Sequence, residues 1–193
     1  IGFIVVIISA TLGVILGGVS GYFGGWVDEV LMRFNDAVAA FPSILLALVC
    51  VSIFGAGKYK IILTLGILFI PSFARIVRGE FAKERSKDYV ENARIMGASP
   101  MRILFAHILP NVRTVLMSSM AIGFNNAVLA EASMSYLSMG VQPPDASLGR
   151  MLSESQSMLF TAPWYAIFTG VFIVLLILGF SLLGQGLQEQ EAD

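Results

Sequence analysis

The chain has little of what a soluble enzyme needs. One cysteine and one histidine stand among 193 residues, and only 13% of the residues are charged. A lone Cys50 inside an apolar run rules out an internal disulfide framework and a cysteine metal site, and reads as a buried small hydrophobe. His107 has no cysteine or carboxylate at ligand spacing, so it reads as an interfacial helix position rather than a metal ligand. No serine, threonine or cysteine has a histidine or carboxylate partner suited to nucleophilic catalysis. A phosphate loop is missing too: Gly57-Lys58 is followed by Tyr59, and Ser52 stands where the first glycine belongs. These absences argue against an enzyme and against any cofactor held by this chain.

What the chain has instead is hydrocarbon. Apolar residues make up 56% and mean hydropathy is +0.82, outside the range of soluble domains. The apolar residues come in long runs, which predicts an all-α polytopic transmembrane helix bundle of about five spans. The first runs from Ile1 to about Val19, and the second from Ala37 to Phe54, kinked or broken near Pro42. The third covers Ile61 to about Ala74, extendable through Ile76 and Val77. The fourth covers Val112 to about Met139, diluted by serines and asparagines as if facing protein, and the fifth Pro163 to Leu187. Trp26 to Asp36 reads as a short polar connection, Gly55 to Lys60 as a tight turn, 140–162 as an extramembrane loop, and 188–193 as an acidic tail. Gly13, Gly17, Gly21 and Gly25 recur every four residues, a stripe for close helix packing. Ile1 follows no charged leader, so the chain reads as truncated at its N-terminus.

Eight of the twelve basic residues lie between Arg75 and Arg113, which predicts that this stretch faces the cytoplasm. Alternation then puts Arg33 and the C-terminal tail inside, and the 55–60 turn and the 140–162 loop outside. Interleaved Glu80, Glu84, Asp88 and Glu91, with no aromatic platform, argue against nucleic acid. Within this stretch Asp88–Met96 can form a short helix, Gly97 supplies a left-handed stop, and Ser99-Pro100 makes an N-cap and first position. Two short helices meeting at a corner could dock in a cleft of a soluble partner; the bland alternative is a solvated loop.

Glu91-Asn92-Ala93, Gly97 and Leu109-Pro110 resemble the EAA loop of ATP-binding-cassette importer permeases: Glu-Ala-Ala, three residues, Gly, nine residues, Ile, one residue, Leu-Pro. Asn92 and His107 depart from that pattern, although His107-Ile108-Leu109-Pro110-Asn111 is similar to the peptide-importer branch. Gly21 to Trp26, Met32-Arg33, Phe41-Pro42, Ala74 to Arg78 and Gly140 to Pro144 are similar to the C subunits of dipeptide and oligopeptide permeases. Gly184 to Glu189 differs from the usual family ending, and the family's extra N-terminal helix is missing. The resemblance implies a bacterial inner-membrane permease, a single domain over residues 1–193 with a cytoplasmic coupling loop at 79–111. It implies a homologous second permease, two cytoplasmic ATP-binding subunits that hold the ATP and Mg²⁺, and an extracytoplasmic solute-binding protein as partners. Glu91, Asn92, Ala93, Gly97, Ala98, Ser99, Pro100, His107, Leu109 and Pro110 would form the ATPase-coupling surface. Peptide is the first cargo reading, nickel or another metal chelate the second. An ion-driven secondary transporter should show several intramembrane carboxylates across an inverted repeat, where this chain has Glu131 alone. Glu131, with Asn125 and Asn126, either lines the pathway or makes structural hydrogen bonds near the outer face, the latter being slightly favoured.

Overall fold

A computed structural model describes residues 1–189, and among them every regular element is helical. Helix α1 (Gly2–Phe23) carries no charge and stops at Gly24, whose φ of 65° only glycine adopts cheaply. Helix α2 (Gly25–Ala39) breaks before Pro42, and α3 (Ser43–Phe54) leaves at 79° to it. After the turn at Gly55–Gly57, α4 (Lys58–Leu68) and α5 (Ile70–Glu84) run as one 27-residue helix interrupted only at Phe69. Helix α6 (Asp88–Ile95) turns at Gly97 into a second helical stretch: α7 (Pro100–Arg102), a π-helical segment Ile103–Ile108, and α8 (Leu109–Asn111). Helices α9 (Arg113–Tyr136), α10 (Leu148–Ser155) and α11 (Pro163–Glu189) complete the order.

Among the described residues four helices are long and apolar enough to cross a membrane: α1, α4–α5, α9 and α11. The bent pair α2–α3 makes a fifth if counted as one span. Three expectations change. The Trp26–Asp36 connection is helical, because Asp28 and Asp36 are neutralised across space by Arg78 and Arg75. The third span continues as helix through its arginines to Glu84 rather than ending near Ala74. The 140–162 loop contains α10, capped by the Ser147 hydroxyl accepting from the Arg150 amide.

Two apolar cores hold the bundle. One joins α1, α3, α4, α5 and α9 through Val5, Val51, Ile61, Leu65, Phe73, Phe124 and Met134. The other joins the ends of α1 and α5 to the 88–112 corner through Tyr22, Phe81, Val90, Ile103 and Ile108. The glycine stripe explains how α1 and α5 approach. A Cβ at Gly13 would lie 2.5 Å from Phe73 Cβ, one at Gly21 2.5 Å from the Arg78 carbonyl oxygen, and one at Gly17 would strike the Ala74 carbonyl. Gly25 does not belong to this stripe: it meets nothing within 4 Å and serves the turn, with φ of 56°. The α11 surface is largely exposed, Phe168, Leu175 and Leu182 included, as a lipid-facing helix requires. The acidic tail expected at 188–193 lies mostly outside the described residues.

Candidate functional site

The corner around Gly97 is built from local rules. Asp88 and Glu91 occupy the first turn of α6 and Arg94 the last, each charge complementing the helix dipole. The helix closes with the Gly97 amide donating to Arg94 O and the Ala98 amide to Ala93 O, both at 3.0 Å, the paired bonds of a Schellman stop. That stop needs a left-handed residue, and Gly97 has φ of 81°. Ser99 then caps the next helix, its hydroxyl accepting from the Arg102 amide at 3.4 Å, with Pro100 at the first position. Pro110 has no N–H to continue an α-helical ladder, and the wider π turn precedes it. The Asn111 side-chain amide donates to the His107 carbonyl at 2.7 Å.

The motif residues divide by exposure. Ala93 is buried in the second core, while Ala98, His107 and Leu109 are half-buried. Glu91, Asn92, Gly97, Ser99, Pro100 and Pro110 are exposed. Ile95 and Met96, the two residues before the turn, are 78% and 80% exposed, and Met101 and Phe105 also reach outward. Large apolar side chains at the tip of a charged corner form a surface suited to a protein partner.

Beneath that surface the corner is bolted to α1 and α5, through residues that sequence reasoning missed. Arg94 lies 5.6 Å from the centre of the Tyr22 ring and donates to its hydroxyl at 3.5 Å, while Arg85 donates to the Tyr22 carbonyl at 3.1 Å. Glu84 is buried and accepts from Lys87 Nζ and from the Tyr89 hydroxyl, both at 2.7 Å. Burial, then the bond to Glu84, pushes the Tyr89 phenol up to about 12. Asp28 of α2 accepts both arms of the Arg78 guanidinium, at 2.7 and 2.5 Å, and also the Ser20 hydroxyl. Asp28 sits in the polar 26–36 connection and its partner Arg78, like Glu84, Arg85, Lys87 and Arg94, in the mixed-charge stretch, so nothing local in the sequence singles out these pairs.

The polar residues of α9 do not form one site. Glu131 is buried and accepts from the Ser135 hydroxyl at 2.6 Å, and Ser135 Oγ accepts from the Val141 amide at 3.1 Å. That chain fastens the start of the 140–147 loop to α9. The Asn125 side-chain oxygen is buried with no hydrogen-bond partner among the described residues. Asn126 is exposed and lines a cavity of about 610 Å³ between the α2–α3 corner, the α4–α5 junction and α9. Among the described residues no group of three or more His, Cys, Asp or Glu side chains could hold a metal ion.

Comparisons with known proteins agree with this architecture. Residues 11–190 match the model of the family described as binding-protein-dependent transport system inner membrane component. The chain is 37% identical over 188 residues to the dipeptide transport system permease protein DppC of Haemophilus influenzae, covering 97% of this chain and 64% of that protein. It is 42% identical over 190 residues to the glutathione transport system permease protein GsiD of Pectobacterium atrosepticum, covering 97% of this chain and 62% of that one. The chain thus spans a little under two thirds of the length of these curated relatives. A chain from inward-facing structures of the MetNI methionine ABC transporter superposes with a TM-score of 0.72 at 19% identity, covering 95% of this chain and 89% of that one, which establishes a shared fold.

Proposed function

We infer the function from one premise: this chain belongs to the family of binding-protein-dependent transport system inner membrane components. We propose that it is the permease subunit of an ATP-binding-cassette importer in a bacterial inner membrane. It forms half of the path for short peptides and couples that path to ATP hydrolysed by separate subunits. The permease names of the relatives, dipeptide and glutathione, support a peptide cargo over a metal chelate.

The observation that carries the reading is the 85–111 corner. Gly97 and Ser99 fix a sharp turn between two helices, and Ile95 and Met96 crown it. The second core ties this turn to α1 and α5, so a push on the corner reaches the span that bounds the cavity. An ATP-binding subunit that closes on nucleotide has the motion to supply; the corner is the handle it grips. A homologous second permease completes the path, and a solute-binding protein delivers cargo on the opposite face, beside the 140–162 loop.

Affinity purification of the tagged chain from its native membrane tests this. The chain should bring two ATP-binding subunits and a second permease, the complex should hydrolyse ATP, and the chain alone should not. ATP turnover by the isolated chain, or a complex without ATP-binding subunits, refutes the assignment.

A further inference from the structure

One cavity that the corner does not use opens where α2–α3, α4–α5 and α9 meet. Pro42 and Ser43 bound it on the α2–α3 side, Phe69 and Ser72 on the α4–α5 side, and Asn126 on α9, with Arg75 at the rim. Its volume of about 610 Å³ falls within the range of small-solute sites, roughly 300 to 1,000 Å³. Asn126 sits roughly 20 Å from the Arg113 end of α9 and roughly 15 Å from the Tyr136 end at about 1.5 Å per residue, near half-depth. The interruptions after α2, at Phe41-Pro42, and after α4, at Phe69, both line this cavity. Non-helical backbone at membrane depth is tolerated where it is packed in protein or lines water.

The charges point the same way. Arg75 lies within the apolar 27-residue helix, and its Nη2 donates to Asp36 Oδ1 at 3.0 Å. The two side chains are nevertheless 59% and 62% exposed. A charge on a spanning helix avoids the hydrocarbon, so this face meets water or protein. Asn126, also exposed, shares the cavity. Asp36 takes one hydrogen bond from Nη2 among the described residues, which leaves the other edge of the guanidinium, the second Nη2 hydrogen with Nη1 or Nε, for an incoming anion.

We propose that this cavity is a station on the solute path and that Arg75, held by Asp36, binds the terminal carboxylate of a short peptide there. Asn126 offers a donor and an acceptor to the peptide's backbone amide. The inference rests on the peptide-permease reading and deepens it by naming the group recognised. A planar guanidinium suits a carboxylate because it donates two parallel hydrogen bonds, which an amidated terminus cannot accept as an anion does.

The test uses the whole transporter in proteoliposomes, with a dipeptide and its C-terminally amidated analogue as paired cargo. Any selectivity of the binding protein cancels when the acid-to-amide import ratio is compared between the unmodified complex and Arg75→Gln. Loss of a charge-assisted bond predicts a fall of about tenfold in that ratio, carried by KM for the acid. A second measurement covers the case in which Arg75→Gln does not assemble: Asn126→Cys, in a Cys50→Ser background, reacts with a water-soluble maleimide. The dipeptide should slow that reaction several-fold, and the amide should slow it less. An unchanged ratio in assembled Arg75→Gln overturns the inference and leaves the peptide-permease reading standing. So does an Asn126→Cys thiol that is unreactive, as it would be if the second permease covers this face, or one that the dipeptide does not protect. A transporter that imports no peptide at all sinks both.

Discussion

Ser135 performs two jobs with one oxygen, donating to buried Glu131 and accepting from the Val141 amide. Ser135→Ala keeps the Cβ and strips away both bonds, leaving a buried carboxyl group and a buried amide short of partners. Each such loss costs about 1 to 3 kcal/mol. The expected result is a lower Tm in detergent and faster proteolysis of the 140–147 loop. An unchanged Tm would mean that Glu131 is not a structural anchor. Tyr89 carries a pH dependence of definite sign. Its folded-state pKa is raised above the ordinary value of 10.0 to about 12. An acid whose pKa is raised on folding contributes stability fully below the unfolded value and loses it as pH climbs through the folded one. Protease resistance of the 85–98 segment should therefore fall between pH 10 and 12. In Tyr89→Phe that segment should be looser at neutral pH and show none of this loss. Equal profiles for the two proteins would remove Tyr89 from the account.

At the scale of elements, the corner was readable because its determinants are neighbours in the chain: Gly97 stops a helix three residues after Arg94, and Ser99 caps the next one. The long spans were readable because hydropathy needs no partner. Helix α2 was not, since what stabilises Asp28 and Asp36 in it comes from Arg78 and Arg75, about forty to fifty residues away. Tyr22 escaped for the same reason: nothing beside it in sequence announces Arg94 or Arg85. The α1–α5 seam was half legible, with three of the four striped glycines sitting in it. Gly17→Leu should force these helices apart, because a Cβ there already meets the Ala74 carbonyl and lies 2.8 Å from Val77 Cβ. Overpacking of this kind costs about 1 to 3 kcal/mol or more. Gly170→Leu on α11, where a Cβ meets nothing within 4 Å, is the matched control. Membrane abundance and Tm should drop for the first and hold for the second; equal behaviour would contradict the seam.

For the whole molecule, the two cores define the logic of coupling. The second core fuses the corner to the ends of α1 and α5, and the first continues those helices up to α3, α4 and α9 around the cavity. On the proposed function, a force applied at Ile95 and Met96 enters one end of a packed unit whose far end lines the cavity proposed as part of the solute path. The hinge of that argument is Gly97. A Cβ there meets nothing within 4 Å in this chain, so a substitution acts through φ and through the partner's approach rather than through internal packing. A side chain at φ of 81° costs roughly 1 to 2 kcal/mol, more for a β-branched one. The decisive measurement is peptide import into proteoliposomes holding the full transporter, with Gly97→Val, Gly97→Ala and the unmodified chain at equal membrane abundance. The account predicts that Gly97→Val inserts and pairs with the second permease yet loses import and peptide-stimulated ATP hydrolysis by tenfold or more, with Gly97→Ala in between. Import by Gly97→Val at the unmodified rate would show that the corner does not couple ATP to transport.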